Sequence, residues 1–143
     1  MRILLGLVAL FLVPASEVGV AIKIQNIESA KGCLRLAVFD SAADFEAEQD
    51  AVFDRVINLS SKADIDLRAT LTGNVRHAVA VYHDENNNGK LDRTVVGIPK
   101  EPYAFSNNPA AKWQAPTFSE IAFLPAEASN TPLRLKLLKW GDR

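Results

Sequence analysis

Residues 75–92 read VRHAVAVYHDENNNGKLD, an apolar run that passes directly into a polar loop. In the apolar half, both sets of alternating residues are largely apolar, which is typical of a central β-strand covered on its two faces. One set is Val75, His77, Val79 and Val81, and the other is Ala78, Ala80 and Tyr82. The segment therefore predicts a buried strand that delivers the chain into the loop.

The polar half has the spacing of a calcium loop. Oxygen-bearing side chains stand at positions one, three, five and nine of a loop that begins at Asp84, and Gly89 stands at position six. Alternate residues of such a loop turn inward, and glycine permits the sharp turn. The predicted ligands are the side chains of Asp84, Asn86, Asn88 and Asp92 and the backbone carbonyl of Lys90. Calcium is favoured over magnesium, which demands strict octahedral geometry, and over zinc, because no second His or Cys lies at ligand spacing from His83.

Two features distinguish this loop from a helix-loop-helix calcium hand. Position twelve is Val95, where such a hand has a bidentate glutamate, and the preceding segment is a strand. Glu85 and Glu101 are the nearest carboxylates that could complete the ligand shell, and Glu101 is within reach only if the loop folds back. With two certain carboxylates, the expected dissociation constant is about 10⁻⁴ to 10⁻³ M. The alternative is an Asn/Gly-rich turn that binds no ion.

The remainder of the chain predicts an all-β fold. Strand-like runs occur at 20–27, 33–39, 52–59, 64–71, 117–124 and 132–139 in addition to 75–82, and residues 40–50 suit only one or two helical turns. A Gly-containing turn between the first two runs predicts a hairpin. About seven strands without a long helix predict a single antiparallel β-sandwich, transthyretin-like or immunoglobulin-like. The irregular stretch 83–116 is long for a compact domain, and a metal would act as its staple.

The N-terminal residues predict a secretory signal. A basic start at Arg2 precedes the apolar run 3–13, which is too short for the roughly 20 residues of a membrane-spanning helix. Cleavage after Ala15 or after Ala21 satisfies the small-residue rule, so the prediction is a signal peptide over 1–21 and a single domain over 22–143. A buried N-terminal strand or helix is the alternative. The protein is expected in the periplasm or the medium, with no membrane span.

Composition excludes some classes of partner and crosslink. The 16 basic and 17 acidic residues form no basic stripe, so a nucleic-acid partner is not expected. Cys33 is the only cysteine, which rules out an intramolecular disulfide, and its apolar neighbours predict a buried thiol.

Two motifs together, HDENNNGKLD at 83–92 and GIPKEPYAFSNN at 97–108, resemble a bacterial family of exported β-domains known as domain of unknown function 2141. The resemblance covers about Ile24 to Leu137. It implies a sandwich of the transthyretin or collagen-adhesin repeat type outside the cytoplasm, and no established activity comes with it. This chain departs from the family pattern at Val75-Arg76-His77-Ala78, where Gly-x-Tyr-Ala is usual, and at Ala104, where glycine is usual.

The predicted function is a non-catalytic exported module, calcium-binding through residues 84–92, with a binding or structural role at the cell envelope. Its partner would be a protein, a peptide or a glycan. Tyr103, Phe105 and Trp113 would form either an aromatic platform for such a ligand or a roof over one end of the sandwich. The alternative is a hydrolytic or metal-assisted enzyme that uses residues 83–108, with His83 and Asp84 as base and orienting group and Ser106 as nucleophile. The sequence context of a nucleophile elbow is absent from this segment.

Overall fold

The computed structural model describes residues 15–110 and 114–142, and these form two packed β-sheets. The strands are β1 (Glu17–Gln25), β2 (Cys33–Phe39), β3 (Phe53–Asn58), β4 (Ile65–Thr72), β5 (Ala78–Asp84), β6 (Tyr103–Phe105) and β7 (Leu133–Lys136). The short helices are α1 (Ala42–Ala47) and α2 (Phe118–Ile121), and a 3₁₀ turn spans Trp140–Asp142. The predicted all-β sandwich of about seven strands is confirmed.

The two sheets have strand orders β4-β1-β7 and β3-β2-β5-β6. All neighbouring strands run antiparallel except β1 and β7, which run parallel with Ile22 opposite Leu133. The strand β5 lies between β2 and β6, and both of its faces are covered: Val79 and Val81 belong to the core between the sheets, and Ala78 on the other face is buried as well.

The core lies between the sheets and follows the period-two alternation of the strands. The inward residues of β1, β2 and β5 are almost completely buried. They include Val20, Ile22 and Ile24 from β1, Leu34, Leu36 and Val38 from β2, and Val79 and Val81 from β5.

The predicted hairpin between the first two strands is wrong. The strand β1 pairs with β4 and β7, whereas β2 pairs with β3 and β5, so the turn at Gly32 carries the chain from one sheet to the other. Gly32 has φ +74°, and a Cβ there would lie 2.0 Å from the Asp84 carbonyl oxygen. The glycine is therefore required by close packing against the end of β5 rather than by a hairpin turn.

The segment 117–124, predicted as a strand, contains helix α2 instead. The Glu120 carboxylate accepts a hydrogen bond of 2.8 Å from the backbone amide of Thr117, which fixes the first turn of the helix. Within the helix only Ile121 is buried. This local capping interaction outweighs the strand-like alternation of the apolar residues.

The predicted signal peptide falls largely outside the described residues, which begin at Ala15. Among the described residues, no helix has the length and apolar character needed to cross a membrane.

Candidate metal-binding loop

The loop begins where β5 ends, at Asp84, whose side chain is completely buried. Its Oδ1 accepts a hydrogen bond of 3.0 Å from the backbone amide of Asn88, and its Oδ2 accepts one of 2.9 Å from the amide of Gly89. Positions five and six of the loop are thus wrapped around the carboxylate at position one. Gly89 has φ +80° and Asn87 has φ +58°, the left-handed conformations that both a calcium loop and a simple turn require.

The other predicted side-chain ligands converge on Asp92. The Asn86 Nδ2 donates to Asp92 Oδ2 at 2.7 Å, and the Asn88 Nδ2 donates to Asp92 Oδ1 at 3.0 Å. The side-chain oxygens of the two asparagines accept backbone amides, from Asn88 at 3.1 Å and from Lys90 at 2.9 Å. The structure therefore gathers Asn86, Asn88 and Asp92 into one cluster.

The cluster has the chemistry of a site for a hard cation, since all of the predicted ligand atoms are carboxylate, amide or carbonyl oxygens. An ion bound here would require the two asparagine side chains to turn their oxygens towards it, exchanging the Asn–Asp92 hydrogen bonds for ion–oxygen contacts. Within residues 15–110 and 114–142, no three His, Cys, Asp or Glu side chains lie close enough together to hold a metal. A site at this loop would therefore depend on the asparagines and the Lys90 carbonyl.

Arg35 is the charged partner of Asp84. Its Nε donates to Asp84 Oδ2 at 2.7 Å, from β2 to the neighbouring strand β5. Burial by itself would raise the pKa of Asp84, but the Arg35 guanidinium and the Gly89 and Asn88 amides together hold that pKa below its usual value. The same hydrogen bond raises the pKa of Arg35. The first loop position is thus a carboxylate at neutral pH, already paired with an internal cation.

The register of β2 and β5 produces this contact. Cys33 pairs directly with Asp84, and Arg35 pairs with Tyr82, so these four residues share the outer face of the sheet. The Cys33 Sγ lies 3.9 Å from Asp84 Oδ2. Burial raises the pKa of the Cys33 thiol, and the Arg35 charge offsets this in part.

Glu101 holds the two ends of the loop together. The residue is 4% exposed, and its Oε1 and Oε2 accept the backbone amides of Glu85 at 2.9 Å and Asp92 at 3.0 Å. The loop does fold back, and this brings Glu101 within reach of it. In this structure both Glu101 oxygens are occupied by the backbone.

The residues of the alternative catalytic arrangement are not brought together. His83 and Asp84 are consecutive on β5 and point to opposite faces, and His83 Nε2 lies 2.7 Å from the Lys31 carbonyl oxygen. Ser106 is buried, accepts the Val79 amide at 3.0 Å and donates to the Ile121 carbonyl. Val79 precedes His83 by four residues, about 13 Å along a strand.

The aromatic residues after the loop pack against other rings of the sandwich. Tyr103 is 9% exposed, with its ring 5.8 Å from that of Phe105, and Phe105 lies 6.1 Å from Phe45. Phe45 in turn contacts Phe39 and Phe118. Tyr103 and Phe105 lie opposite Tyr82 and Ala80, so the rings cover the outer face of the four-stranded sheet beneath α1 and α2 and do not form a roof over one end of the sandwich. Trp113 lies outside the described residues.

Sequence reasoning missed Arg35, and it placed Glu101 only conditionally. An arginine within the apolar run CLRLAVF was the available signal, because a charge on a central strand needs a partner. Its partner is 49 positions away in sequence, and only the strand register identifies it.

No curated protein and no solved structure matches this chain. A family model described as "Uncharacterized protein conserved in bacteria (DUF2141)" matches residues 22–132, which include the end of β1, the strands β2 to β6 and all of the loop. The chain therefore belongs to this bacterial family, as the motifs at 83–92 and 97–108 indicated.

Proposed function

We propose that the chain is an exported, non-catalytic β-sandwich module whose 84–92 loop binds calcium and thereby orders the connection between β5 and β6. The observation that carries the proposal is the cluster around Asp92. The side chains at loop positions three and five each lie within 3.0 Å of the Asp92 carboxylate at position nine, beside a buried carboxylate at position one. A turn that needed only positive φ would not require that convergence of oxygen-rich side chains.

Arg35 makes the proposed site weak. Asp84 and Asp92 contribute two negative charges, and the Arg35 guanidinium cancels one of them at a distance of 2.7 Å. Since calcium affinity follows the charge and rigidity of the ligand set, we place the dissociation constant at about 10⁻⁴ to 10⁻³ M, as for other extracellular modules. Such a site is filled outside the cell, where calcium is millimolar, and is empty at cytosolic concentrations.

The ion would act as a staple. Residues 85–102 connect neighbouring strands of one sheet, and the Glu101 carboxylate already ties the backbone at Glu85 to that at Asp92. A calcium ion at the same loop would add a second tie across positions 84–92. A partner at the envelope (a protein, a peptide or a glycan) would then meet a surface whose conformation depends on calcium.

The test is thermal unfolding in calcium, in magnesium and in chelator. At calcium concentrations about 100 times the dissociation constant, the expected stabilisation is about 2.7 kcal/mol, with a smaller effect of magnesium. Asp92→Asn is the informative variant, because it removes one ligand charge without disturbing the buried Arg35–Asp84 pair. It should greatly reduce the calcium effect and leave the melting temperature in chelator close to that of the wild type.

Asp54→Asn, at an exposed position of β3, is the matched control and should retain the full calcium effect. If the wild type melts at the same temperature in millimolar calcium and in chelator, the metal site is refuted and the loop is a turn. If calcium stabilises the wild type and Asp92→Asn equally, the ion binds elsewhere.

A further inference from the structure

A small hairpin projects between the loop and β6. The Lys100 amide donates to the Asp92 carbonyl at 2.8 Å, and the Thr94 amide donates to the Ile98 carbonyl at 2.8 Å. Arg93 and Pro99 form an antiparallel β-bridge between these two pairs. These contacts bring residues 92–94 against 98–100, so that Val95, Val96 and Gly97 form the tip. We call residues 92–100 the tip hairpin.

The tip is held in shape by its own contacts. The Gly97 amide donates to the Thr94 carbonyl at 2.9 Å, and Gly97 has φ +86°, as in three-residue hairpin loops that end in a left-handed glycine. The Thr94 Oγ1 accepts the Ile98 amide at 3.1 Å, and Arg93 Nη1 donates to the Gly97 carbonyl at 3.1 Å. The two valines are therefore held at the apex by a defined turn.

Val95 and Val96 are exposed far beyond the other large apolar residues of the described chain. Their relative exposures are 106% and 76%, against 53% and 48% for Val56 and Val52. Turn positions usually carry Gly, Asn, Asp, Ser or Pro, each of which has a conformational reason to be there. Valine has no such advantage in a turn, and placing two of them in water at an apex suggests that they are buried in a partner.

Three cations lie along and beside the base of the tip hairpin. Lys90, Arg93 and Lys100 are exposed and Asp92 is the one acid of residues 90–100, so the segment carries a charge of +2 in a chain whose net charge is −1. In the hairpin register, Thr94 and Ile98 form the first rung below the tip, Arg93 lies opposite Pro99 on the second, and Lys100 lies opposite Asp92 on the third. Two apolar side chains at the apex with three cations nearer the base match the depth profile of an anionic bilayer, in which acyl chains lie beneath phosphate headgroups.

We infer that the tip hairpin docks the domain on an anionic lipid surface, with Val95 and Val96 entering the boundary between headgroups and acyl chains and the cations contacting the phosphates. Two valines and three cations give a reversible attachment. Salt weakens it, because the three cations are exposed and their attraction to the phosphates is screened. The docking needs no ion in the neighbouring loop, so it stands whether or not calcium binds there.

The experiment is sedimentation of the full chain with vesicles in chelator, comparing phosphatidylglycerol with phosphatidylcholine at low and at physiological salt. The wild type should bind the anionic vesicles and not the neutral ones, and binding should weaken as salt rises. The double variant Val95→Asp, Val96→Asp should bind at least about tenfold more weakly, because it loses both apolar contacts and adds charge repulsion. Lys90→Gln with Lys100→Gln should reduce binding and flatten its salt dependence, while Arg93 is kept because it supports the turn.

Val52→Asp with Val56→Asp is the matched control, since these exposed valines lie at or beside the edge strand β3. It should bind vesicles like the wild type. The proposal is overturned if the wild type does not bind anionic vesicles, or if the Val95/Val96 variant binds them equally well. It is also overturned if size-exclusion chromatography shows that the two valines hold a dimer that dissociates in the double variant without any vesicle binding, which would make the tip a protein contact.

Discussion

Arg35 Nε lies 2.7 Å from Asp84 Oδ2, joining the strand β2 to the first residue of the candidate calcium loop. The carboxylate is fully buried and the arginine side chain is 32% exposed. The contact serves the fold and the loop together, because the same carboxylate also receives the Asn88 and Gly89 amides.

Arg35→Gln should destabilise the protein by about 3 kcal/mol in chelator, because it leaves a buried carboxylate without its counter-ion. This is the low end of the range for breaking a buried ion pair, since the arginine is partly exposed. Unfolding by urea measures the change. Arg76→Gln, at an exposed arginine, is the control and should be nearly neutral. Under the proposed function, calcium should restore part of the stability of Arg35→Gln, because the ion replaces the lost positive charge. A loss below about 1 kcal/mol would mean that the ion pair adds no more than an exposed one.

The pH dependence of stability should carry the signature of Asp84. Its pKa is held below the ordinary aspartate value of 3.8 in the folded protein, where the Arg35, Gly89 and Asn88 hydrogen bonds outweigh the effect of burial. A depressed folded pKa stabilises the native state above the unfolded pKa, and that contribution disappears as the pH falls through the folded pKa. The stability difference between wild type and Asp84→Asn should therefore be constant above about pH 5 and shrink progressively below about pH 4. Urea unfolding of both proteins between pH 2 and pH 7 tests this, and a difference that does not change with pH would show that Asp84 is not charge-stabilised.

Glu101→Ala should destabilise the loop more than Glu101→Gln. The alanine variant leaves the Glu85 and Asp92 amides without their acceptor, at a cost of about 1 to 3 kcal/mol for each buried group, whereas glutamine keeps one acceptor oxygen. Hydrogen exchange at these two amides should accelerate in Glu101→Ala while the amides of β1 stay protected. Glu127→Ala, at an exposed glutamate, serves as the control. Unchanged protection of both amides in Glu101→Ala would refute the role of Glu101 in holding the loop.

Cys33 should react slowly with thiol reagents in the native state. It is 1% exposed, and burial raises the pKa of its thiol, so both access and thiolate content are low. Labelling with iodoacetamide at pH 8 should be at least about tenfold slower than in denaturant, where the thiol has its ordinary reactivity. Equal rates in the two conditions would show that β2 opens readily.

Under the proposed export, signal cleavage should occur after Ala15 rather than after Ala21. The strand β1 begins at Glu17, and residues 17–21 pair with β4 from Thr72 back to Arg68. Val20 in this segment is completely buried, and the Ser16 carbonyl accepts the Gly73 amide at 2.7 Å. Cleavage after Ala21 would remove more than half of the central strand of its sheet. N-terminal sequencing of the exported protein should therefore begin at Ser16, and a start at Ile22 would contradict this use of β1.

Most strand positions and inward faces were predictable because alternation is a local property, but the segment 117–124 formed a helix and β6 lay in the stretch expected to be irregular. In β4, the sequence places Ile65, Leu67, Ala69 and Leu71 on one face, and these are the residues that turn towards the core. The convergence of Asn86 and Asn88 on Asp92 was also predictable, since alternate positions turn inward in a loop with calcium-loop spacing.

Pairing between strands was not local, and only the tertiary structure decided it. The sequence around Gly32 is compatible both with a hairpin turn and with a connection between the two sheets. Which of the two forms depends on how the two apolar faces pack against each other. The contact of Arg35 with Asp84 depends on the register of β2 and β5, and the contacts of Glu101 with Glu85 and Asp92 depend on the loop folding back. Residues that are distant in the chain, such as Arg35 and Asp84, come into contact only when their strands pair, because the register of two strands is set by long-range pairing and not by the local sequence.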